Sequence, residues 1–494
     1  MSDQVESTEQ DRLERLRGLL SGSRAQGRLG RVLGQGGEYG NLLLGVMLHG
    51  ADRVRQGKTP TDLEQLLLNA LGTVVSDPEA RLWGQTYRQL VEAQGRLTTI
   101  PEVVTSRSVD RGYAMADLRQ DMRHVVAGAM ACPNVQIVDP FAVAAGQPED
   151  PAFIAAMRDT GFAVTAYSVP PQPAPAAATV DEDGGGQAQA QDATPDGKSG
   201  QELSAPVAFR VKLELESFYV QRAVGDAGGG KDEIYWTAAT STGKDGTGAG
   251  TYFSQKFGSV EKDETYRFDA GKKVLFEGSS KGFLGTSIQV WEADQSDDRW
   301  WNELKKALNT AVDLIDDAMT IVDGFMGMVP MWASIAFEIS KMFLYIIDVF
   351  RNCDDLSCDR TIGLNQQDLA VLSHLGNTDW HFNGDGHHIL KVKYTGDGVP
   401  FPQGTVECAV RTDGAWGVPV PLGWKSITPP AIASYNGTLA WRNGAGGSPG
   451  RSAATRATSL PPWQPLTASC TTPSPAPTKH CGDAPSTAVP GARQ

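Results

Sequence analysis

The 494-residue chain has few cysteines, few long apolar runs and a deficit of basic residues. Six cysteines in so long a chain do not form the framework of a disulfide-stapled domain. With 44 Lys and Arg against 58 Asp and Glu, the net charge is -14, and no basic cluster can neutralise nucleic-acid phosphates. The first twenty residues lack the apolar core of a signal peptide. These absences predict a cytoplasmic protein that does not bind nucleic acid.

Glycine and proline are abundant, with 55 and 29 residues, and they separate segments of different pattern. The order of patterns predicts a multidomain α+β protein: an N-terminal helical domain, then an antiparallel β-sandwich with an inserted helical hairpin. Frequent Ala, Gly and Arg favour a bacterial source. The predicted segments are a mainly helical domain with a terminal strand-helix-strand unit (1–168), a disordered linker (169–205), the sandwich (206–298 and 353–397), the inserted hairpin (299–352), a hairpin or blade-like segment (398–443) and a disordered tail (444–494).

Local signals place several element boundaries. Hydroxyls three residues before carboxylates, at Thr59 and Ser76, predict capping boxes at two helix starts. "VQIVDP", "DPAFIAAMRDTG" and "FAVTAYSV" predict the strand-helix-strand unit, and "LAVLSHL" is interpreted as a strand. "TDWHFNGDGHHILKVKY" predicts a β-hairpin that turns at residues 383–386.

Carboxylates cluster in two predicted loops of the sandwich. Loops at one end of a sandwich lie close together, and calcium requires six to eight oxygen ligands from such loops. The candidate calcium ligands are Asp226 and Asp232 in the first loop and Glu292, Asp294, Asp297 and Asp298 in the second. Alternatively, the second loop is solvated and caps the following helix through Ser296 or Asp297.

Residues 210–298 resemble C2-type domains. The resemblance rests on the acidic residues before Tyr235 and on the run Trp291-Glu292-Ala293-Asp294 at the end of a strand. It implies an antiparallel sandwich that binds calcium and lipid.

The inserted segment contains two apolar stretches. In the first, apolar residues follow one helical stripe, and the second is apolar apart from Glu338, Lys341 and Asp348. Near the centre of a span, Glu338 and Lys341 cost roughly 5–7 kcal/mol against a gain of roughly 3–5 kcal/mol from the apolar residues. Three interpretations stay open: a single span, an interfacial hairpin and a hairpin packed on protein. The candidate membrane contacts are Trp300, Trp301, Phe325, Met328, Met331, Trp332, Phe337 and Phe343.

Two further segments carry candidate binding residues. Across the predicted hairpin, His381 would face His388, which suggests a transition-metal site unless both histidines are merely exposed. The acidic loop between Cys353 and Cys358 contains either two free thiols or half of a metal site. Residues 405–443, with Trp416, resemble one blade of tectonin-like or fucose-lectin-like propellers, which implies glycan binding.

Together these features predict a non-enzymatic, membrane-associating adaptor or effector, and no catalytic residues are predicted. The sandwich and the hairpin would dock on lipid, assisted by calcium, while the N-terminal helices bind a protein partner or a larger assembly such as a contractile injection system. The expected location is cytoplasmic, peripheral or single-span, on the inner face of the cell membrane. The alternatives are a toxin or hydrolase with a metal-dependent site and a carbohydrate-binding protein.

Overall fold

A computed structural model gives the structure of this chain. It describes residues 8–23, 27–168, 208–224, 232–242, 246–280, 283–293, 328–350 and 355–396, and the backbone of the strands between Gly404 and Arg442. The described residues form two compact units, one up to Gly396 and one made of the strands from Gly404 onward. The predicted linker 169–205, the predicted tail 444–494 and the first helix of the predicted hairpin lie outside the described residues.

The N-terminal part of the first unit is a bundle of helices. They are α1 (Glu9–Leu20), α2 (Gly27–Leu33), α3 (Leu42–Arg55), α4 (Asp62–Leu71), α5 (Asp77–Gln94), α6 (Glu102–Thr105) and α7 (Met115–Met130). All residues of α3 from Leu42 to Arg53 are buried, so α3 is the centre of the bundle. Ser76 is the N-cap of α5, as predicted, but its box is not closed, because the Glu79 carboxylate pairs with Arg12. The other cap lies at Thr61, two residues after the predicted Thr59, because only Thr61 pairs reciprocally with the carboxylate that follows three residues later.

Helices α3 and α5 cross at Gly84, where a Cβ atom would overlap the backbone of Ala51 and Asp52. We therefore expect Gly84→Ala to destabilise the protein by about 1–3 kcal/mol, because the helices must move apart. The control is Gly271→Ala, since a Cβ there meets nothing within 4 Å. Urea unfolding measures both variants, and an unchanged midpoint for Gly84→Ala would contradict the close crossing.

Strands and four further helices complete the first unit. The strands are β1 (Val135–Val138), β2 (Phe162–Tyr167), β3 (Phe209–Arg222), β4 (Asp232–Ser241), β5 (Gly250–Phe253), β6 (Phe257–Val260), β7 (Thr265–Arg267), β8 (Val274–Ser280), β9 (Phe283–Glu292), β10 (Asp355–Asn365), β11 (Asn377–Asn383) and β12 (His387–Gly396). The helices are α8 (Pro140–Ala144), α9 (Pro151–Thr160), α10 (Met328–Phe350) and α11 (Gln366–Leu375).

The strands form two sheets that share one core. The seven-stranded sheet has the order β1-β2-β10-β9-β4-β5, with β6 also on β4, and the five-stranded sheet has the order β11-β12-β3-β7, with β8 also on β3. All pairs are antiparallel except β1 with β2 and β2 with β10. Between the sheets, the Trp236 ring lies 5.4 Å from Phe218 and 5.0 Å from Phe382. The predicted α+β class is therefore confirmed.

The strand-helix-strand unit belongs to the seven-stranded sheet and not to a separate helical domain. Strand β2 pairs with β10 in parallel, with Phe162 opposite Asp359. All six residues of β2 are buried, so this strand needs a neighbour on each side. The structure thus joins the predicted segments 1–168, 206–298 and 353–397 in one compact unit.

The segment "LAVLSHL" lies in helix α11, so its interpretation as a strand is wrong. Asn365 accepts a hydrogen bond from Asp368 N at 2.9 Å, and the Asp368 carboxylate accepts one from Asn365 N at 2.9 Å. This capping box starts a helix at Gln366. The short apolar run fitted either a helix or a strand, and the cap before it was the deciding signal.

Helix α10, the second helix of the predicted hairpin, lies between the seven-stranded sheet and the N-terminal helices. Trp332, Phe337 and Phe343 are no more than 3% exposed, so their prediction as membrane contacts is wrong for this structure. Trp332 stacks on Phe283, with ring centres 5.8 Å apart. Met331 packs partly buried against the same core. Within the described ranges, no helix is both long and apolar enough to cross a bilayer.

Polar residues attach α10 to the N-terminal helices. Glu338 accepts a hydrogen bond from Asn41 N at 3.2 Å, at the start of α3, and the Lys341 ammonium donates to Gln35 O at 2.6 Å. The two charged groups lie 3.7 Å apart and are at most 3% exposed. Burial raises the pKa of Glu338 and lowers that of Lys341. Glu338 and Lys341, whose charges disfavour membrane insertion, thus bind α10 to the N-terminal helices.

The second unit consists of three two-stranded antiparallel pairs. They are β13 (Gly404–Cys408) with β16 (Val420–Ser426), β14 (Arg411–Thr412) with β15 (Ala415–Trp416), and β17 (Ala431–Tyr435) with β18 (Thr438–Arg442). In the sequence, Asp413-Gly414 separates β14 from β15, and Asn436-Gly437 separates β17 from β18. The resemblance to a propeller blade stays a prediction.

Candidate functional site

Three neighbouring strands of the seven-stranded sheet have acidic residues at the same end. Glu292, the last residue of β9, lies opposite Ile234 of β4 on one side and opposite Asp355, the first residue of β10, on the other. Strand β4 begins at Asp232, two residues before Ile234. Pairing continues past the strand, because Ala293 N donates to Glu233 O at 2.7 Å. We call Asp232, Glu292 and Asp355 the acidic sheet end.

The strand register places the described ends of the two segments that the sequence assigned to calcium on neighbouring strands. The chain enters β4 and leaves β9 at the acidic sheet end, so the segments that bear Asp226 and Asp294 connect to the same edge. The Glu292 side chain is partly buried. The side chains of Asp226, Asp294, Asp297 and Asp298 lie outside the described residues, as does that of Asp232.

Sequence reasoning missed the third strand at this end. Asp355 belongs to the "CDDLSC" segment, which was interpreted through its cysteines, whereas Cys358 is a buried free thiol inside β10. The alternation of polar and apolar residues from Leu356 to Leu364 could have indicated a strand. Among the described side chains, no three His, Cys, Asp or Glu residues converge as metal ligands.

A second polar cluster lies at the β11–β12 hairpin, which is confirmed, but its register differs from the prediction. His381 lies opposite Ile389, and Phe382 lies opposite His388. His381 and His388 therefore point to opposite faces, and the predicted metal pair is wrong. The physical reason is a connecting loop of three residues, 384–386, where a two-residue turn would have placed the two histidines opposite each other.

The partner of His381 is His387. His381 Nδ1 and His387 Nε2 lie 2.9 Å apart, and the ring centres are separated by 5.2 Å. Burial lowers the pKa of His381, and burial together with the neighbouring His381 and Arg222 lowers the pKa of His387 to about 4. Both rings are neutral at pH 7, so one ring donates its N–H in a hydrogen bond to the facing nitrogen of the other. We call His381 and His387 the histidine pair.

A buried ion pair holds the backbone of His381. Arg360 is fully buried and forms a bidentate ion pair with Glu149. The Arg360 guanidinium also donates to His381 O at 2.8 Å, and Glu149 accepts from His381 N at 3.1 Å. Burial disfavours ionisation of Glu149, but the charge and hydrogen bonds of Arg360 outweigh it, so the pKa of this carboxyl lies below its usual value. No local pattern predicts this pair, because its members are 211 residues apart in the sequence.

His388 lies on the inner face of the hairpin, against the rings of Phe218 and Trp236. Neither ring nitrogen has a hydrogen-bond partner among the described residues. Burial lowers the pKa of His388 to about 3. His388 is thus a neutral aromatic residue of the core and cannot reach an ion at the histidine pair.

Comparison with known proteins gives no relative from which a role could be transferred: no family model and no curated protein matches this sequence. The C2-type resemblance therefore stays a prediction from short motifs. The acidic sheet end and the histidine pair are the two arrangements that bear on function.

Proposed function

We propose that this protein is a non-enzymatic adaptor that associates with a membrane surface at the acidic sheet end, with calcium assisting. The observation that carries the proposal is the strand register that puts Asp232, Glu292 and Asp355 at one end of three adjacent strands. In its location the protein is peripheral, at the inner face of the cell membrane, and its N-terminal helices are proposed to bind a protein partner.

The negative net charge of the protein is the reason why membrane binding would need a cation. The net charge is -14, and anionic lipid headgroups repel such a protein. Carboxylates from converging loops also repel each other unless a cation lies between them. Calcium suits this role because its flexible shell of six to eight oxygens accepts carboxylates and lipid phosphates together.

Lipid contact is proposed for the segment that follows the acidic sheet end. Trp300 and Trp301 come eight and nine residues after Glu292 in the sequence. Tryptophan favours the headgroup region, because its ring is apolar and its N–H is polar. Helix α10 is not assigned to lipid contact in this proposal, because its large apolar side chains are buried within the protein.

Co-sedimentation with vesicles tests the proposal. We expect the full chain to pellet with phosphatidylserine vesicles in millimolar calcium, and to stay in the supernatant with EGTA or with phosphatidylcholine alone. The combined variant Trp300→Ala/Trp301→Ala and the variant Asp294→Asn/Asp298→Asn should both lose the calcium-dependent fraction.

The matched control is Trp416→Ala, which changes a tryptophan in β15 of the second unit. It should pellet like the wild type. Pelleting that needs Trp300 and Trp301 but not calcium would overturn the calcium part of the proposal. No pelleting with either vesicle would overturn the membrane function altogether.

A further inference from the structure

We propose that the histidine pair, His381 and His387, holds a late first-row transition-metal ion such as Zn²⁺ or Cu²⁺. This site is separate from the acidic sheet end and does not depend on the function proposed there. Its chemistry differs too: imidazole nitrogens favour zinc and copper, whereas carboxylate and carbonyl oxygens favour calcium.

The two rings already have the separation that a shared ion requires. With metal–nitrogen bonds of about 2.0–2.1 Å and a tetrahedral angle, two imidazoles place their nitrogens about 3.3–3.4 Å apart and their ring centres about 5.2 Å apart. The observed ring centres are 5.2 Å apart, and the facing nitrogens 2.9 Å. Tilting both rings about fixed centres opens the nitrogens by about half an ångström and admits the ion.

Protonation does not oppose binding. In the neutral pair, one imidazole donates its N–H to the lone pair of the other. The ion needs a lone pair from each ring, so the donor ring shifts its proton to its other nitrogen, and the net charge of the pair does not change.

The backbone around the histidine pair is held on both sides. Arg360 and Glu149 hydrogen-bond the carbonyl and amide of His381. On the other side, Arg222 donates to Asn383 Oδ1 at 2.9 Å and to Gly384 O at 2.8 Å in the connecting loop. Both ligands therefore start from a fixed geometry, and His381 is partly open to solvent, which gives the ion an entry path.

Both carboxylates and guanidinium groups face the histidine pair, and together they determine the expected metal affinity. Glu149 and Asp379 attract a cation towards His381, and Glu149 is neutralised by Arg360. Arg158 and Arg222 act on His387 with the opposite sign. With two protein ligands and water in the other positions, we expect micromolar affinity, weaker than that of a closed structural site.

Zinc titration of the untagged full chain tests the site. We expect one equivalent of Zn²⁺ to bind in calorimetry at pH 7. His381→Ala and His387→Gln should each weaken that binding at least about tenfold, since a ligand is lost. Glutamine can still hydrogen-bond His381, so His387→Gln keeps the hairpin contact while removing the ligand.

Copper provides a second measurement. The electron paramagnetic resonance spectrum of bound Cu²⁺ should show coupling to two nitrogens in the wild type and to one in His381→Ala. The matched control is His374→Ala, an exposed histidine in the last turn of α11, which should bind like the wild type. Zinc affinity that is unchanged in both histidine-pair variants, or no binding up to millimolar zinc, would overturn the proposal.

Discussion

Replacing Glu338 by alanine is expected to lower the free energy of unfolding by about 3–5 kcal/mol, because it leaves a buried charge without its counter-ion. The Lys341 ammonium is fully buried and 3.7 Å from the Glu338 carboxylate. The same change removes the acceptor for Asn41 N at the start of α3. Chemical denaturation followed by tryptophan fluorescence measures the loss.

The double variant Glu338→Leu/Lys341→Met is the matched control for this result. It removes both charges together and keeps similar side-chain volume, so it should be less destabilised than Glu338→Ala by at least about 1 kcal/mol. If the double variant is as unstable as the single one, the lost hydrogen bonds and not the unpaired ammonium explain the effect. Equal stability of Glu338→Ala and the wild type would show that α10 is not held by this pair.

Asp359→Asn is expected to change how stability depends on pH. The Asp359 carboxyl is fully buried on β10: Oδ1 accepts from Ser287 Oγ at 2.7 Å and from Gln289 Nε2 at 2.8 Å. Oδ2 has no hydrogen-bond partner among the described residues. Burial raises the pKa of Asp359 to about 6, although the hydrogen bonds from Ser287 and Gln289 oppose this shift.

The sign of the pH effect on stability depends on whether the pKa of Asp359 is higher in the folded or in the unfolded state. Between the unfolded pKa of 3.8 and the folded pKa of about 6, the folded state keeps the proton and the unfolded state loses it. The stability supplied by this group is therefore present below pH 3.8 and lost as pH rises through about 6. The loss above pH 7 is about 3 kcal/mol, since one pKa unit corresponds to about 1.4 kcal/mol.

Asparagine keeps an acceptor for Ser287 and Gln289 and cannot ionise. Relative to Asp359→Asn, the wild type should therefore lose about 3 kcal/mol between pH 3 and pH 8. Denaturation curves for both proteins across this range give the difference, and other titrating groups cancel in it. Parallel curves for the two proteins would show that Asp359 does not titrate in this window.

Local sequence signals predicted the parts of the fold that depend on neighbouring residues. The cap at Ser76 and the hairpin of β11 and β12 are confirmed. The register of that hairpin was wrong by one residue, because "NGDG" fits loops of two and of three residues equally well. This single residue decides whether His381 meets His388 or His387.

The surroundings of α10 could not be predicted in the same way. A helix that is apolar on most of its surface is buried, but the sequence does not say whether lipid or protein surrounds it. Only distant contacts decide this, such as those of Trp332 with Phe283 and of Phe337 with Phe162. Likewise, no local pattern indicates that β10 lies between β2 and β9, which places Asp355 at the acidic sheet end.

The parallel pairing of β2 with β10 also affects how the chain folds during synthesis. Strand β2 ends at Tyr167, and its partner on β10 begins at Asp359. Until the ribosome has released that later segment, one edge of a strand that is fully buried in the folded protein stays unpaired. In the nascent chain this unpaired edge is a site at which another strand can pair and start aggregation.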